Sequence, residues 1–376
     1  MTSVTTDVLI LGAGMAGLSL ADALAPQRTL VVLEVEDHPG RHATGRSAAM
    51  YFETYGNATI RALTRASRDF LSNPPAGFSG SPLLTPRGGL FVSDTARLAR
   101  LEAMRAESAG TLRPIEVSEA LEDVPILDPE WVAGALYDDS GFDIDVAALL
   151  QRYAARARRA GVRLVMGARS VEIQRKDGLW HVHSAAGDFA APVLVNATGA
   201  WADDVARSAG VRTVGLQPMR RTAMTLEAPP GLDIRAWPLV IDVDEEFYFK
   251  PDAGQLLLSP ANEDLQAPGD AAADELDVAI AVDRFERATT LEVRRIPHRW
   301  AGLRSFVADR TPVVGFDPGT EGFFWLAAQG GYGIQTAPAL AQTAAALVLN
   351  QPIPPAVRQE GVTAHALAPD RLGLTA

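Results

Sequence analysis

The chain of 376 residues contains no cysteine. That excludes disulfides, thiolate zinc sites, iron–sulfur clusters and cysteine nucleophiles. It also leans toward a reducing compartment. Lysine is almost missing: Lys176 and Lys250 are the only two, so the basic residues are nearly all arginine and few groups remain for lysine chemistry. Acids outnumber bases 46 to 34, a formal net charge of −12. Such a surface repels phosphate backbones, so no nucleic-acid partner is expected. Long hydrophobic runs are also missing. Gly322 to Val357 carries no charged residue, but Gly330, Gly331, Gly333, Gln335, Pro338 and Gln342 break it. Its apolar pieces fall short of the ~20 residues of a membrane span and read as a buried strand and helix. The N-terminus lacks a basic leader segment, so a cytoplasmic location is expected.

What is present suits a folded protein. Hydrophobic residues make up 47% and charged residues 21%. The length allows two or three domains with ample core. The first forty residues read as strand (Asp7–Leu11), helix (Met15–Leu24) and strand (Thr29–Glu34), a βαβ start that requires a parallel sheet. Helices are expected over Asn57–Leu71, Asp94–Ala109, Asp145–Ala160, Trp201–Ala209, Asp274–Thr290 and Gln335–Leu349, several opened by an N-cap residue. Val162–Met166, Val171–Gln174 and Trp180–His183 read as a meander. Further strands are expected at Leu90–Val92, Val193–Asn196, Thr222–Leu226, Phe247–Lys250, Leu256–Ser259, Trp300–Ser305 and Phe323–Ala327. The fold class is α/β with α+β character.

Gly12-Ala13-Gly14-Met15-Ala16-Gly17 follows the first strand and opens the first helix. Gly12 permits the tight turn, Gly14 lets a pyrophosphate approach the backbone, and Gly17 lets helix and strand pack closely. Glu34 ends the second strand at the spacing of a ribose ligand. This is a dinucleotide-binding signal, and it does not by itself separate FAD from NAD. Three further segments favour the longer cofactor. Gly40-Arg41-His42-Ala43-Thr44-Gly45-Arg46-Ser47 suits a loop laid along a dinucleotide. Asn196-Ala197-Thr198-Gly199-Ala200-Trp201 forms a second small-residue turn. Gln329-Gly330-Gly331-Tyr332-Gly333-Ile334 precedes the last helix, whose N-terminus favours negative charge.

These segments resemble the D-amino-acid oxidase superfamily of FAD enzymes. GRHATGRSAA, NPPAGF, RPIEVSEA, GLQPMRR, FYFKPDAG, AGLRSFVAD and EGFFWLAAQGGYGIQT are similar to the D-arginine dehydrogenase branch, in register through nearly the whole chain. The resemblance implies a Rossmann-like FAD-binding domain and a discontinuous, mixed-sheet substrate domain, the D-amino-acid oxidase/glutathione-reductase-like fold. The corresponding division is 1–80, 141–213 and 299–376 for FAD, and 81–140 and 214–298 for substrate. It implies noncovalent FAD; without cysteine a thioether link is excluded. It implies oxidation of a D-amino acid to an imino acid, which water converts to a 2-oxo acid and ammonia. Electrons would then pass to an acceptor such as a quinone.

The resemblance also assigns residues. Arginine suits a carboxylate, because its planar fork binds two oxygens. Arg221 and Arg304 match the family's carboxylate-binding arginines; otherwise they would read as a surface salt bridge and a structural ion pair. Arg220 and Arg221 point to opposite faces of a strand, so only one belongs in a site. Tyr248 matches a carboxylate-bonding tyrosine, a position that on strand character alone would be half-buried core. Tyr55 matches a tyrosine on a mobile loop, Met50–Gly56, and the Gly331 carbonyl matches the acceptor for the substrate amine. Met50, Phe52, Gly89 and Tyr332 are expected around the substrate side chain. Val171, Gly302 and Gln335 join the cofactor contacts already described.

Two positions depart from the branch. Met50 stands where the D-arginine enzyme has histidine, and Gly89 stands where it has a guanidinium-binding glutamate. A cationic side chain loses its partner without that carboxylate. Neutral or hydrophobic D-amino acids are therefore expected over D-arginine. Glycine, sarcosine or opine oxidation, 2-hydroxy-acid oxidation, and a flavin subunit of a larger complex remain alternatives. No metal site is expected. His38 and His42 are separated by Pro39 and Gly40, and the aspartates near Asp138 do not fit a calcium loop.

Overall fold

The structure, a computed structural model, describes residues 3–108 and 110–373. Five strands build a parallel sheet in the order Arg163–Val165, Leu30–Leu33, Val8–Leu11, Val193–Asn196 and Phe323–Ala327, with Val313–Phe316 added antiparallel at one edge. Its strands are continuous apolar runs because both faces are covered. Val8, Ile10 and Val32 pack with the helices Met15–Leu24, Val146–Arg159 and Ala337–Val348. Leu9, Leu11, Val31 and Leu33 pack on the other side with Trp180, Val182 and Phe189. Those aromatics come from a separate sheet in which Ser170–Lys176, Leu179–Ser184 and Gly187–Ala191 form a meander, closed by Val4–Thr5.

A large sheet carries nine strands. Gln217–Leu226 lies toward one end and pairs with Gln255–Ser259, Asp264–Leu265 and the whole of His298–Phe306. Gln255–Ser259 continues to Tyr248–Asp252, Leu239–Asp242 and Gly89–Ser93. Alternate residues serve two faces. Met224, Leu258 and Phe249 pack under Val278, Ala281 and Phe285 of the helix Glu275–Ala288. Arg221, Ala223 and Tyr248 look the other way, onto a cavity. A small sheet joins Met50–Tyr51, Phe142–Ile144 and Leu84–Pro86.

Local expectations agree closely with these elements. The helix Met15–Leu24 has the expected bounds. Asn57, Asp94, Asp145 and Asp274 each accept a backbone N–H as N-caps. The helix after Asp94 is a 3-10 turn followed by Leu98–Glu107, and its expected end at Ala109 lies outside the described residues. The meander needs correction. Arg163–Val165 does not belong to it; it pairs in parallel with Leu30–Leu33 at the edge of the first sheet. The division at residue 299 also falls inside a strand, since His298–Phe306 runs along Gln217–Leu226 in the large sheet. The uncharged stretch forms the buried strand Phe323–Ala327 and the helix Ala337–Val348. Among the described residues no helix is long and apolar enough to cross a membrane.

Candidate cofactor and substrate site

A cavity of about 440 Å³ runs from the ends of the parallel strands to the open face of the large sheet. At one end stands the glycine turn. Gly12 has φ +100°, and a Cβ there would lie 2.5 Å from the Ala197 carbonyl oxygen. A Cβ on Gly17 would lie 1.9 Å from the Gly12 carbonyl, so Gly17 serves close helix packing and does not line the cavity. Glu34 is buried, and its carboxylate accepts Ala13 N–H at 2.6 Å and Glu36 N–H at 3.0 Å. It thereby braces the turn from within. Gly14, Ala16 and Glu34 all line the cavity.

The loop after the second strand folds over this turn. Thr44 Oγ1 accepts Met15 N–H at 3.1 Å, at the start of the helix. A Cβ on Gly45 would lie 2.6 Å from the Gly40 carbonyl, so Gly45 tightens the loop without lining the cavity. Arg46 donates to the carbonyls of Ala271 and Ala301 at 2.8 and 2.9 Å and forms an ion pair with Asp270. It thus ties the loop to the large sheet, while Ser47 lines the cavity beside it. His42 packs its ring 4.7 Å from that of Trp201, and its Nε2 lies 2.8 Å from Glu36. Thr198, Gly199 and Trp201 form the wall opposite.

The other end carries the cations. Arg221 is buried; it donates to the Asn262 carbonyl at 2.8 Å and to Glu263 at 3.1 Å. Arg220 points away, pairing with Asp277 at 2.9 Å and Asp264 at 3.4 Å. Arg304 donates to the Tyr55 hydroxyl at 3.3 Å, and among the described residues it has no salt bridge. Burial and the neighbouring Arg304 charge depress the Arg221 pKa. Burial also opposes the Arg304 cation, but the Tyr55 and Tyr248 oxygens more than restore it. Burial raises the Tyr248 phenol, yet the charges of Arg304 and Arg221 outweigh it and leave its pKa lowered. Two neighbouring guanidiniums, one buried and one half-buried, with a single carboxylate, Glu263, on Arg221 make a site short of negative charge.

Gly330, Gly331, Gly333 and Ile334 line the cavity next to Arg304, as does Gly302. A Cβ on Gly331 would lie 2.8 Å from Arg304 Nη1, so backbone and guanidinium are in direct contact. Tyr55 and Tyr332 pack ring to ring at 4.9 Å just outside the lining, and burial lifts the Tyr332 phenol to about 12. Phe52 is buried against Gly89: a Cβ on Gly89 would lie 2.6 Å from its ring. Met50 pairs in register with Asp143, whose carboxylate holds Lys250 and Arg87, both at 2.6 Å.

Besides Gly17, Gly45 and Tyr332, two more expected cofactor residues stand off the cavity lining. Val171 is 73% exposed on the outer meander; Ala168, Arg169 and Ser170 line the cavity in its place. Gln335 is buried, but its amide binds Phe52 N–H at 3.2 Å and Thr64 Oγ1 at 2.8 Å, which ties the Phe52 loop to the helix Ala58–Ser72. Sequence reasoning missed Glu263, whose pairing with Arg221 spans 42 residues and leaves no local signal. Ser305 and Gln329 also line the cavity, and both lie inside motifs that sequence reasoning quoted without singling them out.

The residues present fit an extended dinucleotide. Three residues that line the cavity each hold a buried polar atom with no partner within the protein: His42 Nδ1, Ser305 Oγ and Gln329 Nε2. Buried polar atoms in folded proteins are normally satisfied. The glycine-rich turns at Gly12 and at Gly330 both border this cavity.

Comparison with known proteins agrees with this geometry. The sequence model of the DAO family, described as FAD dependent oxidoreductase, matches residues 7–347. FAD-dependent oxidoreductase domain-containing protein 1 of Bos taurus is 24% identical, over 92% of this chain and 81% of that protein. Glycine oxidase of Bacillus licheniformis is 23% identical, over 92% and 94%. Among solved structures, L-proline dehydrogenase from P. horikoshii superposes with a TM-score of 0.80 at 20% identity, covering 94% of this chain and 96% of that one.

Proposed function

The chain belongs to the DAO family of FAD-dependent oxidoreductases, and from that premise we propose that it oxidatively deaminates D-amino acids with neutral or hydrophobic side chains. The observation that carries the proposal is Arg304, half-buried on the cavity wall beside Arg221 and, among the described residues, without a carboxylate of its own. A substrate carboxylate supplies the missing charge.

FAD, held noncovalently by the Gly12 and Thr198 turns, the Thr44 loop and the Gly330–Ile334 segment, would accept a hydride from the substrate α-carbon at its N5. Arg304 and Arg221 clamp the carboxylate, and Tyr248 and Tyr55 fix its orientation. The Gly331 carbonyl accepts an N–H of the substrate amine, so the α-hydrogen is aimed by contacts at both ends. The imino acid leaves to water and becomes a 2-oxo acid and ammonia. The electrons go on to an acceptor such as a quinone. Phe52 fills the space beside Gly89, and the neighbouring acid, buried Asp138, already accepts from Thr54 and Ser140. This supports a preference for neutral side chains over D-arginine.

The test is anaerobic reduction of the purified yellow protein by D- and L-amino acids and 2-hydroxy acids. D-Methionine, D-leucine or D-phenylalanine should bleach the flavin bands fastest. Dominant reduction by D-arginine, or by L-amino acids only, sinks the proposal. The Phe52 ring also favours a second reading, in which a small amine such as glycine or sarcosine is the substrate. Stoichiometric peroxide with glycine would select it.

A further inference from the structure

Ser305 and Gln329 are neighbours through the backbone. Gly330 N–H donates to the Ser305 carbonyl at 2.9 Å, so the end of the strand His298–Phe306 and the turn after Phe323–Ala327 are joined edge to edge. Ser305 is buried, and its hydroxyl oxygen and the Gln329 amide nitrogen both lack a partner. Both residues line the cavity.

The backbone there is held in an unusual shape. Ala328, a non-glycine residue, has φ +60°, and Gly330 has φ +56° with no room for a Cβ, which would lie 2.2 Å from the Phe306 ring. Left-handed backbone at an alanine is unfavourable and persists only where the surroundings enforce it. Here it holds Gln329, a cavity-lining residue whose buried amide nitrogen meets no partner in the protein.

The position identifies the occupant. Ser305 follows Arg304, and Gln329 lies two residues before Gly331, which abuts that arginine. The pair is therefore at the cation end of the cavity. If the substrate carboxylate binds Arg304, as proposed above, the reacting ring of the cofactor must lie at this end as well. An isoalloxazine ring bears carbonyl acceptors and an imide donor along one edge. An amide and a hydroxyl complement that edge.

We propose that Gln329 and Ser305 hydrogen-bond the polar edge of the FAD isoalloxazine, and that they hold the reduced cofactor more tightly than the oxidised one. Donors aimed at a ring that gains negative charge on reduction favour the reduced form. The inference rests on the reading of Arg304 as the substrate end.

The test uses the full chain and two readouts independent of turnover. FAD affinity is measured by titrating apoprotein and following flavin fluorescence, and the midpoint potential by equilibration with reference dyes. Ser305→Ala and Gln329→Leu should each weaken FAD binding several-fold. In the double variant the reduced form should lose about tenfold more affinity than the oxidised form, which lowers a two-electron potential by about 30 mV. Gln329→Glu keeps the side-chain shape should the leucine variant fail to fold, and its added negative charge should lower the potential further. Parent-like affinity and potential in folded variants overturn the proposal. A loss of affinity with an unchanged potential overturns it too, since the pair would then only shape the cavity. A raised KM with both readouts unchanged assigns the pair to substrate instead. A parent chain that takes up no FAD overturns this inference and the family premise together. If the variants shift both readouts but no D-amino acid reduces the flavin, the substrate reading alone fails.

Discussion

Arg220 and Arg221 are adjacent in the chain and face opposite sides of one strand: Arg220 pairs with Asp277 at 2.9 Å, while Arg221 is buried on the cavity wall. The alternation of strand side chains separates a structural arginine from a candidate binding one. Arg221→Met should lower kcat/KM by at least a hundredfold, about 3 kcal/mol of transition-state stabilisation. Arg220→Met should leave kcat/KM near the parent and lower stability by about 1–2 kcal/mol, because Asp277 keeps Thr222 and Asn262 as donors. Steady-state kinetics and urea denaturation of both variants check this. Equal kinetic losses would contradict the assignment.

Gly331 touches the Arg304 guanidinium closely enough that a methyl group cannot be added without movement. Gly331→Ala should displace Arg304 and raise KM for the amino acid tenfold or more, while FAD remains bound. Arg304→Lys should lose a similar or larger factor, because an ammonium cannot bind two oxygens in one plane. Unchanged kinetics in Gly331→Ala would show that Arg304 does not set carboxylate binding.

Phe52 occupies the space a side chain at Gly89 would need. Gly89→Glu alone should destabilise the protein by forcing that ring aside, at a cost on the order of 1–3 kcal/mol. The double variant Gly89→Glu with Phe52→Ala makes room for the acid and should raise the ratio of D-arginine to D-leucine turnover severalfold. A ratio that does not move places the substrate side chain elsewhere.

Asp22 in the first helix has its pKa raised from 3.8 to about 6; burial is the main cause, opposed by Arg156 at 3.0 Å. The folded state therefore binds a proton that the unfolded chain has already released between about pH 4 and 6. Stability from this group is full below that window and falls as pH rises through it, by an amount on the order of 2–3 kcal/mol. Asp22→Asn should remove that decline and raise the denaturation midpoint at pH 7.5. A variant less stable than the parent at pH 7.5 would refute the sign.

Much of this molecule was legible locally. The glycine turn, the helix Met15–Leu24 and the N-caps Asn57, Asp94, Asp145 and Asp274 are short-range features, decided by steric freedom and hydrogen bonds within a few residues. The resemblance carried by ordered motifs pointed to the fold and the FAD requirement. The pairing of distant strands was not legible. Arg163–Val165 has the composition of a meander strand, and only the parallel sheet determines that it joins Leu30–Leu33. The short strands Met50–Tyr51, Leu84–Pro86 and Phe142–Ile144 lack enough length for a periodic signal and exist because they pair with one another.

The absence of cysteine, the scarcity of lysine, the apolar runs and the turn glycines were properties of the sequence by itself, and they restrict which chemistries and which local conformations are available. Tertiary structure decided the rest. It turned Arg221 inward beside Arg304, laid Phe52 over Gly89, drew the Gln335 amide onto Phe52 and Thr64, and left the Ser305 and Gln329 polar atoms without partners. Each of these depends on groups far apart in the chain meeting where water is excluded. Periodicity and propensity encode which face a residue presents, but not what it meets there.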